Sequence, residues 1–397
     1  MLKASSWKGL ILALFPSIGF VIWSYTQTDP NLVLSSNALY WSFQQWMWQL
    51  GYHHRAVSSL IYMILVVGMF GSYLWVIRWK EIWKRRVFAG TVFLFLFAYP
   101  ALSHDVFNYI FNARMVVQYQ ENPHTTVALE FSDDLWTRFM RNTHTAAPYG
   151  YGWTLFSIPQ YLLGFGKFTL TLASFKMFSA VTLVIFVVLL RSLLRSMKKP
   201  DSGVWLVALH PLVFIEFLAV MHNDLWMMAF ALAMLLATMN KKTTLAVMFL
   251  VLSISIKFVT ILMTPLLFLW MDAPAILKKS KSFAMIFGWL HQWWQDLLAL
   301  GLLVPLLTAR SQWFHPWYLI WALTWYPLIR SQLLRAVLFG LSISSLFRYV
   351  PYFWQGEFLL GVFETQIIIT WFGGVTLALI WYRMRSCRVI ARLFGKS

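Results

Sequence analysis

The sequence predicts an all-α protein, a polytopic bundle of about twelve transmembrane helices that forms a single integral membrane domain. Three observations lead to this fold class. Of the 397 residues, 60% are hydrophobic and only 12% are charged, whereas soluble domains carry about 25% charged residues. The mean hydropathy is +0.65. Basic residues also cluster in alternate loops. So few charges cannot cover a water-exposed surface of this size, and a soluble protein is excluded.

The predicted spans come from apolar runs, since a bilayer core needs about 20 apolar residues per helix. These runs lie at 9–25, 58–77, 87–103, 173–190, 203–221, 225–239, 243–256, 258–271, 284–307, 317–329, 336–350 and 360–382. Basic residues follow every second run, as in 78–86, 191–199 and 383–396. Because basic loops stay in the cytoplasm, both termini are predicted to be cytoplasmic.

The formal net charge of +18 is then explained by membrane topology and by contact with anionic lipid. Membrane lipid is therefore an expected partner, and nucleic acid is not. The predicted organisation within residues 1–397 has three parts. Residues 1–86 hold two spans and an aromatic outer loop, 87–330 form a core, and 331–397 hold the last spans and a basic tail. The one cysteine, Cys387, excludes a disulfide within the chain and a cysteine-based zinc site.

Two segments do not fit simple spans. Residues 153–166 are apolar but short and contain Pro159, so they are predicted to form a re-entrant or interfacial helix. Residues 243–271 are too long for one span and short for two. They are predicted to fold as two halves around Lys257 and to line a cavity, because broken helices are tolerated only beside protein or water.

The outer segment that begins at His104 predicts an amphipathic helix. Asp105, Asn108 and Asn112 recur at three- and four-residue intervals and so share one helical face. The apolar side chains expected to face lipid are Phe107, Ile110 and Phe111. Asp105 has two interpretations, either a functional carboxylate at the hydrocarbon boundary or a charge that stabilises the helix N-terminus.

Several ionisable residues are predicted to reach the outer rim of the bilayer. They are Asp105, Asp224, Lys257, Arg310, His315 and Arg348. Each alone is explained by snorkelling or by a buried ion pair, whereas six at one depth indicate a polar site that faces an outer-leaflet lipid. The triplet 222–224 could suggest a metal, but neighbouring residues on a helix do not share a face. No metal ligand is assigned, no cofactor is certain, and a divalent metal stays possible.

Five motifs resemble those of GT-C membrane glycosyltransferases, in particular bacterial polyprenyl-phosphate-mannose-dependent α-mannosyltransferases. In chain order they are Asp105-Val106-Phe107-Asn108-Tyr109 with Glu121-Asn122-Pro123-His124, then Pro148-Tyr149-Gly150-Tyr151-Gly152-Trp153, then His210-Pro211-Leu212 with His222-Asn223-Asp224, then Ser255-Ile256-Lys257, and last Pro316-Trp317-Tyr318 with Trp321. The resemblance extends from about residue 87 to 330. It implies an enzyme of the bacterial cell membrane that moves a hexose, mannose above all, from a polyprenyl-phosphate carrier. The acceptor is a glycan or glycolipid on the extracytoplasmic face.

The resemblance also implies roles for individual residues. Asp105 is the expected catalytic base, Lys257, Arg310 and Arg348 are expected to hold the carrier phosphate, and His222 with Asp224 is expected to orient sugar or acceptor. Further expected substrate contacts are Tyr109, Asn122, Tyr149, Asn223, His315, Trp317 and Tyr318. The main alternative is a multi-span transporter or lipid flippase, which also uses broken helices and intramembrane charge.

Overall fold

The computed structural model describes residues 6–270, 281–307, 314–357 and 359–386, and every regular element in these ranges is helical. The all-α prediction is therefore confirmed. The α-helices are Trp7–Ser24, Ala38–Trp48, Arg55–Val76, Glu81–Phe95, Asp105–Arg114, Tyr151–Leu162, Phe168–Ser196, Trp205–Ala208, Pro211–Phe214, Asp224–Met239, Thr243–Ile256, Thr264–Trp270, Lys281–Leu303, Ile320–Leu323, Gln332–Phe347, Val350–Gln355, Leu360–Ile368 and Gly374–Ser386.

Short 3-10 and π-helices connect these elements. The 3-10 helices are Tyr25–Gln27, Ala128–Phe131, Leu135–Phe139, Asp201–Val204, Phe258–Met263, Val304–Leu307 and Pro316–Leu319. The π-helices are Gln49–His53, Met115–Tyr119, Ile215–Ala219 and Ile369–Gly373. Two of them, Met115–Tyr119 and Ile215–Ala219, lie close in sequence to predicted site residues, as π-helices often do.

Five helical segments in the described residues are long and apolar enough to cross a membrane. They are Trp7–Gln27, Arg55–Val76, Phe168–Ser196, Gln332–Gln355 and Leu360–Met384. The pair Asp201–Ala208 and Pro211–Ala219, bent by 61°, makes a sixth if it is one span. Other predicted spans form shorter apolar helices: Asp224–Met239, Thr243–Ile256 and Phe258–Leu267. The chain is thus a helical membrane protein, and the number of twelve spans stays a prediction.

The two irregular segments fold much as their sequences indicate. The helix Tyr151–Leu162 has 12 residues, about 18 Å of length against about 30 Å of hydrocarbon, so it is too short to span by itself. The helix Thr243–Ile256 ends at Lys257, whose backbone is extended at φ −149° and ψ 137°. The 3-10 helix Phe258–Met263 follows directly. The predicted break at Lys257 is confirmed.

One prediction for the helix Asp105–Arg114, called the outer helix below, is wrong. Its apolar face does not lie in lipid, because Phe107, Ile110 and Phe111 are buried inside the protein. The Phe107 ring stacks on the ring of Phe168 at a centroid distance of 6.0 Å. The loop that follows the helix also folds back, and Phe111 packs there with Ala128. The outer helix is therefore a core element with one polar face.

A close backbone contact joins the end of the outer loop to the Lys257 break. The Gly150 N–H donates to the Ile256 carbonyl at 3.0 Å. A Cβ at Gly150 would collide with the backbone carbonyl of Ser255, and a Cβ at Gly152 would collide with the Ser255 side chain. The two glycines of the Pro-Tyr-Gly-Tyr-Gly-Trp motif are therefore needed for packing, because only a residue without a Cβ fits there.

We expect Gly150→Ala to lower the free energy of unfolding by about 1–3 kcal/mol, since the added methyl meets rigid backbone. Apparent melting temperature in detergent measures the effect. Gly361→Ala is the control, because a Cβ there would have no neighbour within 4 Å. That change should be neutral or stabilising by up to about 1 kcal/mol. Equal melting temperatures for the two variants would contradict the packing argument.

Candidate active site

One cavity of about 600 Å³ brings together residues from distant parts of the chain. Four of the predicted rim residues line it: Asp105, Lys257, His315 and Arg348. Asp224 does not line the cavity but contacts Lys257 directly. Arg310 falls outside the described residues. Five of the six rim residues therefore meet around one cavity.

Asp105 is the first residue of the outer helix. Its backbone N–H donates to the Ser103 hydroxyl at 3.2 Å, and its side chain is 25% exposed. Asn108 and Asn112 line the same cavity, so the polar face predicted from their spacing points into the site. The carboxylate lies in the first helical turn, where a negative charge stabilises the helix N-terminus, and it also lines the cavity.

His222 lies between two carboxylates. Its Nδ1 is 3.4 Å from the Asp105 carboxylate, and its Nε2 is 3.4 Å from the Glu216 carboxylate. Glu216 also accepts a hydrogen bond from the Tyr349 hydroxyl at 3.2 Å. The imidazole and the Glu216 side chain are fully buried. A buried carboxylate–imidazole–carboxylate chain thus leads from the cavity into the helical core.

The charges around Asp105 keep it ionised. Burial acts to raise the pKa of this carboxyl, but the contacts with His222 and the charge of Lys257 outweigh that effect and hold the pKa at about 2. Burial acts to lower the pKa of His222, and the contacts with Asp105 and Glu216 outweigh it, so that the pKa is raised. Asp105 is therefore an anion at neutral pH, with the imidazole of His222 beside it.

Trp317 stacks with two imidazoles. Its ring centroid is 3.7 Å from that of His222 and 4.3 Å from that of His315. Burial, with the nearby positive charges of Arg348 and others, lowers the pKa of His315 to about 3, so His315 is neutral. Only 7% of Trp317 is exposed, so little of the indole is available for contact with a sugar.

Lys257, which lines the cavity, forms an ion pair with Asp224. Its Nζ donates to the Asp224 carboxylate at 2.6 Å, and the Trp321 indole N–H donates to the other Asp224 oxygen at 2.7 Å. Asp224 has no exposed side-chain surface, so this pairing satisfies an otherwise costly buried charge. The Lys257 ammonium also lies 5.3 Å from the centre of the Tyr318 ring. Asp224 therefore fixes Lys257 at the cavity wall.

A buried lysine stabilises the turn that carries residues 222–224. The Lys176 ammonium donates to the carbonyls of Leu218 and Ala219, at 2.7 Å each. These carbonyls end the π-helix Ile215–Ala219, where backbone acceptors have no helical partner. The chain then turns through Met221, whose φ is 67°. Lys176 thus positions the turn from which His222 reaches Asp105.

The remaining predicted residues divide into two groups. Tyr149 lines the cavity, and burial together with the Asp105 charge raises the pKa of its hydroxyl. Tyr109 is buried and packs edge-on against Tyr149 at 4.8 Å. Asn223 is also buried. Asn122 is exposed, and its side chain accepts from the His124 backbone N–H at 3.0 Å. In this structure Asn122 shapes a loop turn outside the cavity wall.

Sequence reasoning missed four contributors. Lys176 lies within the longest apolar helix, and a lysine in such a position is itself a signal of function. Arg55 and Arg141 line the cavity with Arg348, yet they come from an N-terminal span and from the outer loop, and no spacing rule connects them. The fourth is Glu216, whose contact with His222 depends on the π-helix Ile215–Ala219 and on the turn that follows it.

No group of three or more His, Cys, Asp or Glu side chains suited to a metal ion occurs in the described part of the chain. The three members of the Asp105–His222–Glu216 chain show why. His222 lies between the two carboxylates and contacts each of them through a different ring nitrogen. Both imidazole nitrogens are thus engaged with carboxylates and are not directed at a common point, as metal ligation would require.

The comparison with family models identifies the family of the chain. Residues 17–273 match the family model described as the N-terminal domain of the MptA/B family of α-(1→6)-mannopyranosyltransferases. No curated protein and no solved structure shows a significant match to the chain. The matched region covers more than half of the chain and contains Asp105, His222 and Lys257. The chain therefore belongs to the MptA/B family of polyprenyl-phosphate-mannose-dependent α-(1→6)-mannosyltransferases.

Proposed function

We propose that the cavity is the active site of this mannosyltransferase and that Asp105 is its catalytic base. The single observation that carries the proposal is that an ionised carboxylate and the Lys257 ammonium face one cavity. In a glycosyl transfer, the acceptor needs a negatively charged base and the carrier phosphate needs a positively charged partner. An acceptor hydroxyl must lose a proton, and a carrier phosphate must leave as an anion.

The transfer is written as one displacement at the anomeric carbon of mannose. The acceptor oxygen forms a bond to this carbon, while the bond to the carrier phosphate breaks and its electron pair leaves with the phosphate. The α-(1→6) linkage of the family makes the attacking group a primary hydroxyl. Its proton becomes strongly acidic as the new bond forms, so a weakly basic carboxylate such as Asp105 can accept it.

Lys257 is the proposed contact for the carrier phosphate. An ammonium has three donors, and Asp224 takes one of them, which leaves others for phosphate oxygens. Just past Lys257, the side chains of Phe258 and Ile261 are exposed on the protein surface, as suits a surface that faces lipid. A polyprenyl chain could lie along this surface while its phosphate reaches Lys257. Arg310 and Arg348 remain further candidates for phosphate contact.

His222 and Glu216 are proposed to position the base. The two 3.4 Å contacts of His222 place a positive charge beside Asp105 and fix the ring between two anions. Polar atoms on the cavity wall come from Tyr149, His315, Asn108 and Asn112, and sugar hydroxyls can be bound there. Trp317 and Tyr318 are proposed to shape this wall, since His222, His315, Trp321 and Lys257 lie over their rings.

The proposed topology has about twelve spans, with both termini in the cytoplasm and the cavity on the extracytoplasmic side. The alternation of basic loops supports this orientation. The shorter apolar helices around Asp224–Met239 and Thr243–Ile256 supply further membrane-embedded elements. A mannose donor and a glycan acceptor follow from the family, and a lipid-bound acceptor in a bacterial cell membrane is proposed.

Asp105→Asn tests the base. We expect transfer of labelled mannose from polyprenyl phosphate to fall by about 10²- to 10⁴-fold, because the amide cannot accept the hydroxyl proton. The variant should remain folded in detergent. Asp133→Asn changes an exposed loop carboxylate that does not line the cavity, and it should retain normal turnover. Normal turnover of Asp105→Asn would refute the assignment.

Lys257→Gln tests the phosphate contact. We expect the KM for the lipid-linked donor to rise about 10- to 100-fold, since a charged hydrogen bond to phosphate is lost. Because Asp224 would then lack its partner, Lys257→Arg is the companion variant and should keep part of the donor affinity. Lys242→Gln, in an exposed loop, serves as the control. An unchanged donor KM in both Lys257 variants would argue against this role.

Glu216→Gln tests the positioning chain through the pH dependence of kcat. Burial lowers the pKa of His222, but Asp105 and Glu216 outweigh it and raise that pKa, while the neighbouring ammonium of Lys257 acts on Asp105. As pH rises through the pKa of His222, the imidazolium loses its proton and Asp105 loses its counter-charge. Removing the Glu216 charge should move this alkaline limb to lower pH.

The control for this profile is Glu364→Gln, an exposed carboxylate on the helix Leu360–Ile368. It should leave the alkaline limb in place. Glutamine keeps an oxygen that can accept from the Tyr349 hydroxyl, so the hydrogen bond of 3.2 Å need not be lost. If Glu216→Gln and wild type share one pH profile, Glu216 does not act through His222.

A further inference from the structure

We propose that a groove on the aromatic outer loop, called the outer groove below, is a second binding site that takes a neutral chain of linked hexoses. The outer groove is lined by Pro30, Ser42, Gln45, Trp46, Trp48, Gln49, Tyr52 and His53. Tyr52 also lines the cavity that holds Asp105, so the groove and the cavity are continuous. The proposal rests on the proposed function where it takes this chain to be the distant part of the acceptor.

Two aromatic side chains of the outer groove are fixed by one backbone carbonyl. The Trp48 indole N–H and the Tyr52 hydroxyl both donate to the Thr28 carbonyl, at 2.8 Å and 3.2 Å. A Cβ at Gly51 would collide with the carbonyl of Thr26, so this segment packs directly against neighbouring backbone. The rings are therefore in place before a ligand binds, which reduces the conformational entropy lost on binding.

The exposed side chains of the outer groove combine an indole with amides and a hydroxyl. Trp46 is 63% exposed, and Ser42, Gln45 and Gln49 are exposed beside it. Because these residues are three or four positions apart, they share one helical face over about 10 Å. A sugar ring has C–H groups on its faces, which suit the negative face of an indole. Its hydroxyl groups suit the donors and acceptors of an amide, so this helical face can bind hexoses.

The outer groove favours an uncharged ligand. The described residues that line it include no lysine, arginine, aspartate or glutamate. An anionic lipid headgroup would therefore have no cationic side chain to bind there. A chain of hexoses carries no charge and needs no such partner.

The polar character of this face also argues against lipid as its ligand. A helix face that lies in lipid is apolar, and the short helix Tyr151–Leu162 has such a face, with Tyr151, Leu155 and Leu162 exposed. The exposed apolar residues Leu39 and Trp41 do not line the outer groove. They lie near the start of their helix, where they suit contact with the membrane surface.

Continuity with the cavity gives the outer groove its role. The attacking hydroxyl of the acceptor belongs in the cavity beside Asp105, and the sugars that follow it can pass Tyr52 and reach Trp46. Only a chain long enough to fill the cavity and the groove gains the binding energy of both. The outer groove thus makes the protein prefer long acceptors to short ones, without any change at the reacting atoms.

The test compares two acceptors at a saturating donor concentration, octyl α-mannoside and the octyl glycoside of an α-(1→6)-linked mannohexaose. For Trp46→Ala, we expect the KM for the hexaose to rise about tenfold. For Gln45→Ala and Gln49→Ala, the same KM should rise about threefold. The KM values for octyl mannoside and for the donor should not change. Trp46→Phe keeps an aromatic face and should restore part of the affinity.

The matched controls are Trp354→Ala and Gln355→Ala. They remove an exposed indole and an exposed amide that line neither the outer groove nor the cavity, and they should leave every KM unchanged. A Trp46→Ala variant that raises the KM of both acceptors alike, or of neither, would overturn the proposal.

Thermal stabilisation by free mannohexaose, measured without donor, tests binding separately from transfer. Wild type and the two controls should be stabilised more by the hexaose than by free mannose, and Trp46→Ala should lose this difference. The result is expected even if no mannose were transferred, in which case only the proposed function would fail. Stabilisation of Trp46→Ala to the same extent as wild type would contradict a glycan site in the outer groove.

A spin label distinguishes a glycan from membrane lipid as the occupant. The label is attached at Gln45→Cys in a Cys387→Ser background, because Cys387 is the single cysteine of the chain. In nanodiscs of neutral lipid, we expect a water-soluble nickel complex to reach the label and mannohexaose to reduce this access. A label reached by oxygen and not by nickel would place the outer groove in the bilayer and refute the proposal, and so would nickel access that the hexaose leaves unchanged.

Discussion

An ionised carboxylate at the edge of hydrocarbon is stable only among cations, and this requirement organises the whole site. Asp105 has His222 beside it, and Lys257 has Asp224. Each pair joins segments that are far apart in the chain, so neither charge is balanced until the helices pack. The same interactions that hold the fold together therefore also keep Asp105, the proposed base, ionised.

Irregular helices supply the positions that these charges need. A regular helix satisfies its own backbone, whereas the extended residue Lys257 and the end of the π-helix Ile215–Ala219 leave backbone groups for other partners. Lys176 binds two such carbonyls. The cavity is thus lined by chain breaks whose polar groups are satisfied by side chains, as a site buried in a membrane requires.

Local patterns in the sequence allowed much of this site to be predicted. The contacts between distant segments could not be predicted from such patterns. The three- and four-residue spacing placed Asp105 and Asn112 on one face, and the length of the run 243–271 revealed the break at Lys257. The burial of Phe111 depends on how the outer loop folds back, and no local period encodes that. The meeting of Arg141 with Tyr352 likewise links residues 211 positions apart.

The hydrogen bond from Gly150 to the Ile256 carbonyl has a mechanical consequence. It anchors the C-terminal end of the outer loop one residue before Lys257. This end of the loop therefore cannot move away from the cavity without also displacing the segment that carries the Lys257 ammonium. The position of the loop end and the position of the ammonium are in this way coupled through one backbone hydrogen bond.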